Sequence, residues 1–180
     1  MNEEAKESSV SKDMANGDRA SVVIDQGLDN SEENSVNINM LMGTLINSSL
    51  GSINILSRHI WSESVVGDFP YIMSTMGAFS LVDPIIGGFK AGVAYVGRNH
   101  VGVQCGWLIA FANNSLGTVV YADCGPLSRF NIINWAQIEA NLNQASYIAY
   151  VSDPMTGTSV YATVSGDASS GSVLTATFNG

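Results

Sequence analysis

The sequence has 180 residues, of which 46% are hydrophobic and only 13% are charged, and its formal net charge is −9 at pH 7. This length suffices for one domain with a buried core, and the scarcity of charge suits a protein whose surface is largely covered by neighbours. The acidic balance argues against tight nucleic-acid binding, no apolar run is long enough to span a bilayer, and the N-terminus lacks the features of a signal peptide.

Residues 1–35 differ in composition from the rest of the chain. They hold nine of the 16 acidic residues and three of the seven basic ones, so their net charge is −6. Outside Val22-Val23-Ile24 they contain almost no large apolar side chain, and such a segment cannot offset the entropy lost on ordering. We therefore predict a disordered acidic arm over residues 1–35, unless it is an expression remnant or a processed leader, and a folded domain over residues 36–180.

The folded domain is predicted to open with a short helix or turn and to continue in strands. Four apolar residues at helical spacing indicate the helix: Ile38, Leu41, Met42 and Leu45. Strands are predicted over residues 52–61, 65–76 and 78–82. Asp83-Pro84 ends the last of these strands, because proline cannot donate to a strand ladder.

Residues 88–112 predict a long β-hairpin at the centre of one sheet. Bulky residues occupy every second position of its second half: Val101, Val103, Cys105, Trp107, Ile109 and Phe111. Successive side chains of a strand point to opposite faces, so one face is bulky and apolar and the other is smaller. Residues 97–100 have the composition of the connecting turn. A hairpin this apolar requires the rest of the chain to cover it.

The remaining third of the chain is predicted to be mostly extended. Residues 113–117 read as a turn, residues 118–126 as a short strand and residues 132–142 as a helix of one or two turns. Three further strands are predicted over residues 147–151, 159–164 and 173–178. About eight short strands separated by Gly, Pro and Asn indicate an all-β fold, an antiparallel sandwich or barrel.

The order of several short motifs resembles that of the capsid proteins of picorna-like RNA viruses. The motifs are Ile38–Leu41 before Leu56-Ser57-Arg58, Trp61-Ser62 with Gly67-Asp68, Phe89–Val93, Gly106–Ala110, and Ala149–Ser152 within Tyr147–Pro154. Lys90 and Ala91 depart from the usual aromatic residue and arginine of that family.

The resemblance implies an eight-stranded antiparallel jelly roll of two facing four-stranded sheets, BIDG and CHEF, with short helices in its loops. It also implies a structural capsid protein of a small icosahedral positive-strand RNA virus. Its partners would be other capsid subunits, a host receptor and, only weakly or indirectly, the enclosed RNA. Its locations would be the virion and, during assembly, the host cytoplasm.

Few side chains offer catalytic or metal-binding chemistry. The candidates are His59, His100, Cys105, Cys124, Asp68 and Asp123. Cys105 alternates with Val103 and Trp107, which predicts a small core residue. Two cysteines cannot make a disulfide scaffold, so we predict that both are free thiols. Metal-ligand spacings and phosphate-binding loops are missing from the sequence. We therefore expect no catalytic, cofactor or metal site and no enzymatic activity.

Two alternatives to a capsid protein remain open. The first is a non-viral or phage β-sandwich binding module for a carbohydrate or a protein, which exposed aromatic side chains such as Trp107 or Trp135 would favour. The second is an enzyme on a jelly-roll scaffold, which would need a His/Glu metal cluster. Because the arm is acidic, RNA contact would depend on a few side chains: Lys90, Arg98 or Arg129.

Overall fold

The computed structural model describes residues 38–84, 88–114, 117–167 and 170–180, so the predicted arm over residues 1–35 lies outside the described residues. Within these ranges the chain forms eleven strands, one 3-10 helix and one α-helix. The first strands are β1 (Asn39–Ser48), β2 (Leu50–Ile60), β3 (Val66–Gly67), β4 (Ile72–Met73) and β5 (Met76–Asp83). Next come β6 (Phe89–Arg98), β7 (Gln104–Asn114), β8 (Gly117–Pro126), the 3-10 helix (Leu127–Phe130) and α1 (Trp135–Leu142). The last strands are β9 (Ile148–Asp153), β10 (Thr158–Asp167) and β11 (Gly171–Asn179).

The strands form two sheets that share one core, a β-sandwich. The large sheet has six strands in the order β3-β5-β1-β11-β10-β9, and the small sheet has five in the order β4-β2-β6-β7-β8. Among the paired strands, β1 and β11 run parallel and the other pairs are antiparallel. The all-β prediction is therefore confirmed.

The strand order differs from that of the expected jelly roll. A BIDG sheet would place β2 beside β11, but β1 occupies that position and β2 pairs with β6 instead. The predicted helix over residues 38–45 is wrong, because this segment is β1. Leu41, Gly43 and Leu45 point into the core at every second position while their neighbours face outward, and this alternation is that of a strand.

The central hairpin is confirmed. β6 and β7 pair without interruption from Phe89↔Asn113 to Arg98↔Gln104, in the middle of the small sheet. The prediction of the turn at residues 97–100 is too early in the sequence. The turn spans residues 99–103, and Val101 within it is exposed. Asn99 closes this turn: its backbone N–H donates to the carbonyl of Val103, and its side-chain oxygen accepts from the Val103 N–H.

The core between the sheets is built around Trp107. Its side chain is fully buried, and its indole N–H donates to the carbonyl of Asn179 at 2.8 Å. Of the other bulky residues predicted on this face, Cys105, Ile109 and Phe111 are buried beside it, whereas Val101 and Val103 lie in the turn and are exposed. This arrangement confirms the predicted inner face.

A second apolar layer lies on the outer face of the small sheet. There α1 and the 3-10 helix pack against the small side chains of β6 and β7, and Phe130, Ile138 and Leu142 are buried against Ala94 and Ala110. The predicted helix is confirmed in the shorter range of α1. None of the helices in the described ranges is long and apolar enough to cross a membrane.

Other predicted segments need smaller corrections. Residues 65–76 form two short strands, β3 and β4, that belong to different sheets, rather than one. The predicted strand over residues 118–126 is confirmed as β8, and the side chain of Cys124 lies in the core. The last three predicted strands are confirmed as β9, β10 and β11, each slightly longer than expected.

Candidate functional site

A cleft opens on the outer face of the small sheet, between β8, the 3-10 helix and α1. Its volume is about 210 Å³. Apolar side chains, among them Leu108, Phe130 and Ile138, form part of its lining. Six polar side chains also line it: Tyr121, Asp123, Arg129, Asn134, Gln137 and Asn141. The cleft therefore combines an apolar surface with a ring of hydrogen-bonding groups.

Local structure explains how these polar groups converge. On β8, Tyr121 and Asp123 alternate with Ala122 and Cys124, whose side chains belong to the core, so the polar pair faces outward. On α1, Gln137 and Asn141 are four residues apart and share one flank of the helix. Their contact confirms this placement, because the Gln137 side-chain amide donates to Asn141 Oδ1 at 3.0 Å.

The helix that carries one wall of the cleft begins at a side-chain cap. Asn134 Oδ1 accepts a hydrogen bond from the backbone N–H of Gln137 at 3.1 Å. Such a cap satisfies one of the free N–H groups at a helix N-terminus. It also fixes the start of α1 at the mouth of the cleft.

An ion pair stands at one side of the cleft. Arg129 Nη1 lies 2.9 Å from Asp123 Oδ1 and donates to the Cys124 carbonyl at 2.6 Å. Asp123 Oδ1 also accepts from the Cys124 N–H at 2.9 Å. These contacts orient the guanidinium and the carboxylate, and the Arg129 side chain remains about half exposed, so donors and acceptors are both available to a ligand.

The phenol of Tyr121 is held in its neutral form. Burial raises the pKa of Tyr121, and a hydrogen bond from the Asn141 side chain offsets part of that effect. The hydroxyl therefore stays protonated at neutral pH and can both donate and accept hydrogen bonds.

An aromatic cluster lies on the opposite flank of α1. His59 stacks on Trp135 with ring centroids 5.5 Å apart, and Trp61 meets His59 edge-on at 4.6 Å. All three side chains are half-buried. His59 fills the space beside the Trp135 ring, so the cluster has no open gap between its rings that could take a ligand. Its contacts hold α1 against β2. Trp107, the other aromatic side chain considered for exposure, is buried.

The two cysteines lie in the core, away from the cleft. Both are free thiols, as predicted, and both are buried in the core, which was predicted for Cys105. Burial raises the pKa of Cys105 and of Cys124, so both stay protonated at neutral pH. Cys124 Sγ lies within 3.5 Å of the Thr158 carbonyl, a core contact rather than a contact with a base.

The other singled-out residues are scattered. His100 is exposed in the β6–β7 turn, and Asp68 forms an ion pair with Arg58. Two of the side chains considered for RNA contact are paired with carboxylates, Lys90 with Glu139 and Arg129 with Asp123, and Arg98 donates to the Gly102 carbonyl. Across the part of the chain that the structure describes, no group of three metal-ligating side chains comes together.

Two of the sequence candidates lie in the cleft: Asp123, considered for catalytic or metal chemistry, and Arg129, considered for RNA contact. Sequence reasoning missed Tyr121 and Asn141. Two signals could have located them: the alternation of polar and small residues on β8, and the i, i+4 spacing of Gln137 and Asn141 on the predicted helix.

Comparisons with known proteins fix the family and the fold. No family model matches the sequence. The jasmonate-induced protein homologue of Atriplex canescens is 30% identical over 161 residues, which cover 83% of this chain and 87% of that protein. The lipid-binding protein Nakanori has a similar structure, with a TM-score of 0.63 and 8% identity over 79% of this chain and 71% of that one. The lectin XCL of Xerocomus chrysenteron follows with a TM-score of 0.53 and 12% identity over 79% of this chain and 99% of that one.

These findings overturn the resemblance to picorna-like viruses. The relative is a plant protein, and the structural neighbours are a lipid-binding protein and a lectin of the same β-sandwich fold. The predictions of a viral capsid protein and of a location in the virion are therefore wrong, and the expected capsid partners lose their basis. The motifs do not distinguish this chain from capsid proteins, because Gly-rich apolar strands occur in many β-sandwiches. The findings favour a non-viral β-sandwich, and the chain belongs to the family of the jasmonate-induced proteins.

Proposed function

We propose that this protein is a non-catalytic binding module that takes one ring of a carbohydrate in the cleft between β8 and α1. The observation that carries the proposal is the composition of that cleft, in which Tyr121, Asp123, Arg129 and Asn141 surround an apolar lining. A sugar ring has the same dual character, with hydroxyl groups at its edge and C–H groups on its faces.

The cleft suits an uncharged polyhydroxylated ligand better than an ion. Asp123 and Arg129 already neutralise each other at 2.9 Å, so an ionic ligand would have to compete with that contact. Sugar hydroxyls can instead accept from the guanidinium and donate to the carboxylate without separating them. The volume of about 210 Å³ is below the roughly 300–1,000 Å³ of pockets for drug-sized ligands, which leaves room for a single ring.

The comparisons support binding as the general activity. A structural neighbour is named as a lectin, and it has this fold at a TM-score of 0.53. The absence of enzymatic activity remains part of the proposal. It is supported by the protonated, buried thiols of Cys105 and Cys124.

The proposal is tested by NMR titration of the full chain with galactose, N-acetylglucosamine and mannose as probes. We expect at least one of them to shift resonances of Tyr121 and Asn141. Tyr121→Phe removes only the hydroxyl and should weaken binding about tenfold, the loss of roughly one hydrogen bond in a partly dry site. Tyr150→Phe is the matched control, because Tyr150 is exposed on the other sheet.

Two outcomes would contradict carbohydrate binding at this cleft. One is that none of the three sugars perturbs the cleft at millimolar concentration. The other is that a sugar binds with equal affinity to the wild type and Tyr121→Phe, which would move the site elsewhere.

A second candidate function is attachment to a lipid surface, favoured by two exposed apolar loop tips. Val101 in the β6–β7 turn is 81% exposed, and Met155 in the β9–β10 turn is 90% exposed. The Asn99 side-chain amide donates to the Thr156 carbonyl at 2.7 Å, so the two turns are neighbours at one end of the sandwich. Paired apolar tips of this kind can enter the interface of a bilayer.

Flotation with phosphatidylcholine vesicles tests this candidate. The double variant Val101→Asp, Met155→Asp should remain unbound if the tips insert. Tyr147→Asp, at the opposite end of β9 and 65% exposed, should bind as the wild type does. Wild-type protein that fails to float with the vesicles excludes the candidate.

A further inference from the structure

The outer face of the large sheet has no covering layer in the described part of the chain. Its outward side chains come from β5, β1, β11, β10 and β9, and we call them the bare face. Several are large and apolar yet exposed: Met42 by 50%, Met76 by 65% and Tyr150 by 70%. No outward position of these strands carries a charge until Asp167 at the end of β10.

Strand register places these side chains in continuous rows. One row crosses five strands and is formed by Met76, Ile46, Thr177, Tyr161 and Tyr150. The next row places Thr175 between Thr44 and Thr163, at the centre of the face. The result is a broad surface of methionine, threonine, tyrosine and aliphatic groups.

Charge is distributed unequally between the two sheets. The basic side chains of the described ranges, Arg58, Lys90, Arg98 and Arg129, lie on β2, β6 and the 3-10 helix, so none is on the large sheet. Cores of protein interfaces are depleted in charged residues and enriched in tyrosine and methionine. The bare face has the composition of an interface core.

We propose that the bare face binds a second copy of this chain, so that two sandwiches pair through their large sheets. In a two-fold dimer the same patch meets itself, so any charge near the axis faces its own copy. An uncharged face avoids this repulsion even in a protein whose net charge is −9. This self-complementarity favours a second copy over a charged partner.

The area of the bare face is large enough for an interface with a second copy of the chain. Strands about 4.8 Å apart, rising about 3.3 Å per residue over about eight residues, give five strands a face on the order of 600 Å². Two copies would bury about 1,200 Å² in total, above the roughly 1,000 Å² that a specific interface requires and at the lower end of the standard class. We therefore expect a dissociation constant in the micromolar range.

The shape of the face is consistent with sheet-on-sheet pairing. A shallow groove on it is lined by Met42, Thr44, Ala78 and Ser80 and could receive side chains of the second copy. Methionine side chains are flexible and adapt to such contacts.

Sedimentation analysis of the full chain, from about 1 to 100 µM, tests the proposal across the micromolar range. The wild type should pass from monomer to dimer with rising concentration. Thr175→Lys introduces a charge at the centre of the face and should raise the dissociation constant at least tenfold. Met42→Glu, on a neighbouring strand, should have the same effect, whereas Thr175→Val should preserve the dimer.

Gln104→Lys is the matched control, because it adds the same charge at an exposed position of the small sheet. It should dimerise like the wild type, and circular dichroism should show that all variants are folded. A wild type that stays monomeric throughout the range would overturn the proposal. So would a dimer that survives both Thr175→Lys and Met42→Glu, or one that Gln104→Lys disrupts equally.

Discussion

The outer faces of the two sheets differ in the size of their side chains. The small sheet presents glycine and alanine there, such as Gly92, Ala94 and Gly106, and ring and aliphatic groups of α1 and the 3-10 helix lie against them. The large sheet presents bulky uncharged groups, such as Met42 and Tyr150, with nothing from the described chain above them. Small outward residues thus accompany a covering layer from the same chain, and bulky uncharged ones accompany an open face.

The largest expected effect concerns the core that both sheets share. Trp107→Ala should lower the free energy of unfolding by about 3–5 kcal/mol, because it leaves a large cavity between the sheets. It also removes the hydrogen bond to the Asn179 carbonyl. Urea denaturation measures the loss, and Trp61→Ala, at a half-buried position, should cost less. Equal losses for the two variants would contradict the central place of Trp107.

A smaller effect separates the two outer faces. A Cβ on Gly106 would overlap the ring of Phe130, so Gly106→Ala should displace the 3-10 helix and cost about 1–3 kcal/mol. Ala78→Val adds more atoms to the exposed bare face and should change the free energy of unfolding by less than about 0.5 kcal/mol. The same denaturation experiment compares them. A Gly106→Ala protein as stable as the wild type would show that the covering layer is loosely packed.

The smallest effect is the loss of folding stability at alkaline pH, which should arise from buried groups on the small sheet. Burial raises the pKa of four groups on β6, β7 and β8: Tyr95, Cys105, Tyr121 and Cys124. The unfolded chain releases these protons first, near pH 8.5 for cysteine and 10 for tyrosine. The stabilisation is therefore complete below about pH 8 and is lost as the pH rises above these values.

Thermal unfolding between pH 7 and 11 measures this decline. Tyr95→Phe removes one of the four groups and should flatten the fall above about pH 10, although it also loses the hydrogen bond to the Pro70 carbonyl. A midpoint of thermal unfolding that stays the same between pH 7 and 11 would contradict the assignment of the lost stability to these buried groups.

The central hairpin could be predicted from the sequence because its signal is local. Alternation from Phe89 to Phe111 fixes both strands and their inner face, and the structure reproduces them. The position of the turn was less certain, since Val101 and Val103 continue the alternation although they lie outside the sheet. The hydrogen bonds of the Asn99 side chain determine where the turn lies, and they form only in the folded turn.

Strand order and the site could not be predicted in the same way. Leu41 and Leu45 fit both a helix and a strand, because four residues separate them and both periods allow that spacing. Pairing with β5 and β11 decides for the strand. The cleft likewise brings together Tyr121 on β8 and Asn141 on α1, a proximity that no sequence spacing reveals.

The parallel pairing of β1 with β11 affects the rate of folding and the tendency to aggregate during folding. It joins Leu41 to Ser172, so the large sheet closes only when segments from opposite ends of the described chain meet. Long-range pairing of this kind slows folding, because the loop entropy is lost before the contact forms. Until β11 arrives, one edge of β1 is open beside apolar side chains, a state that can pair with other chains. We therefore expect slow refolding, over milliseconds to seconds, with yields that fall as protein concentration rises.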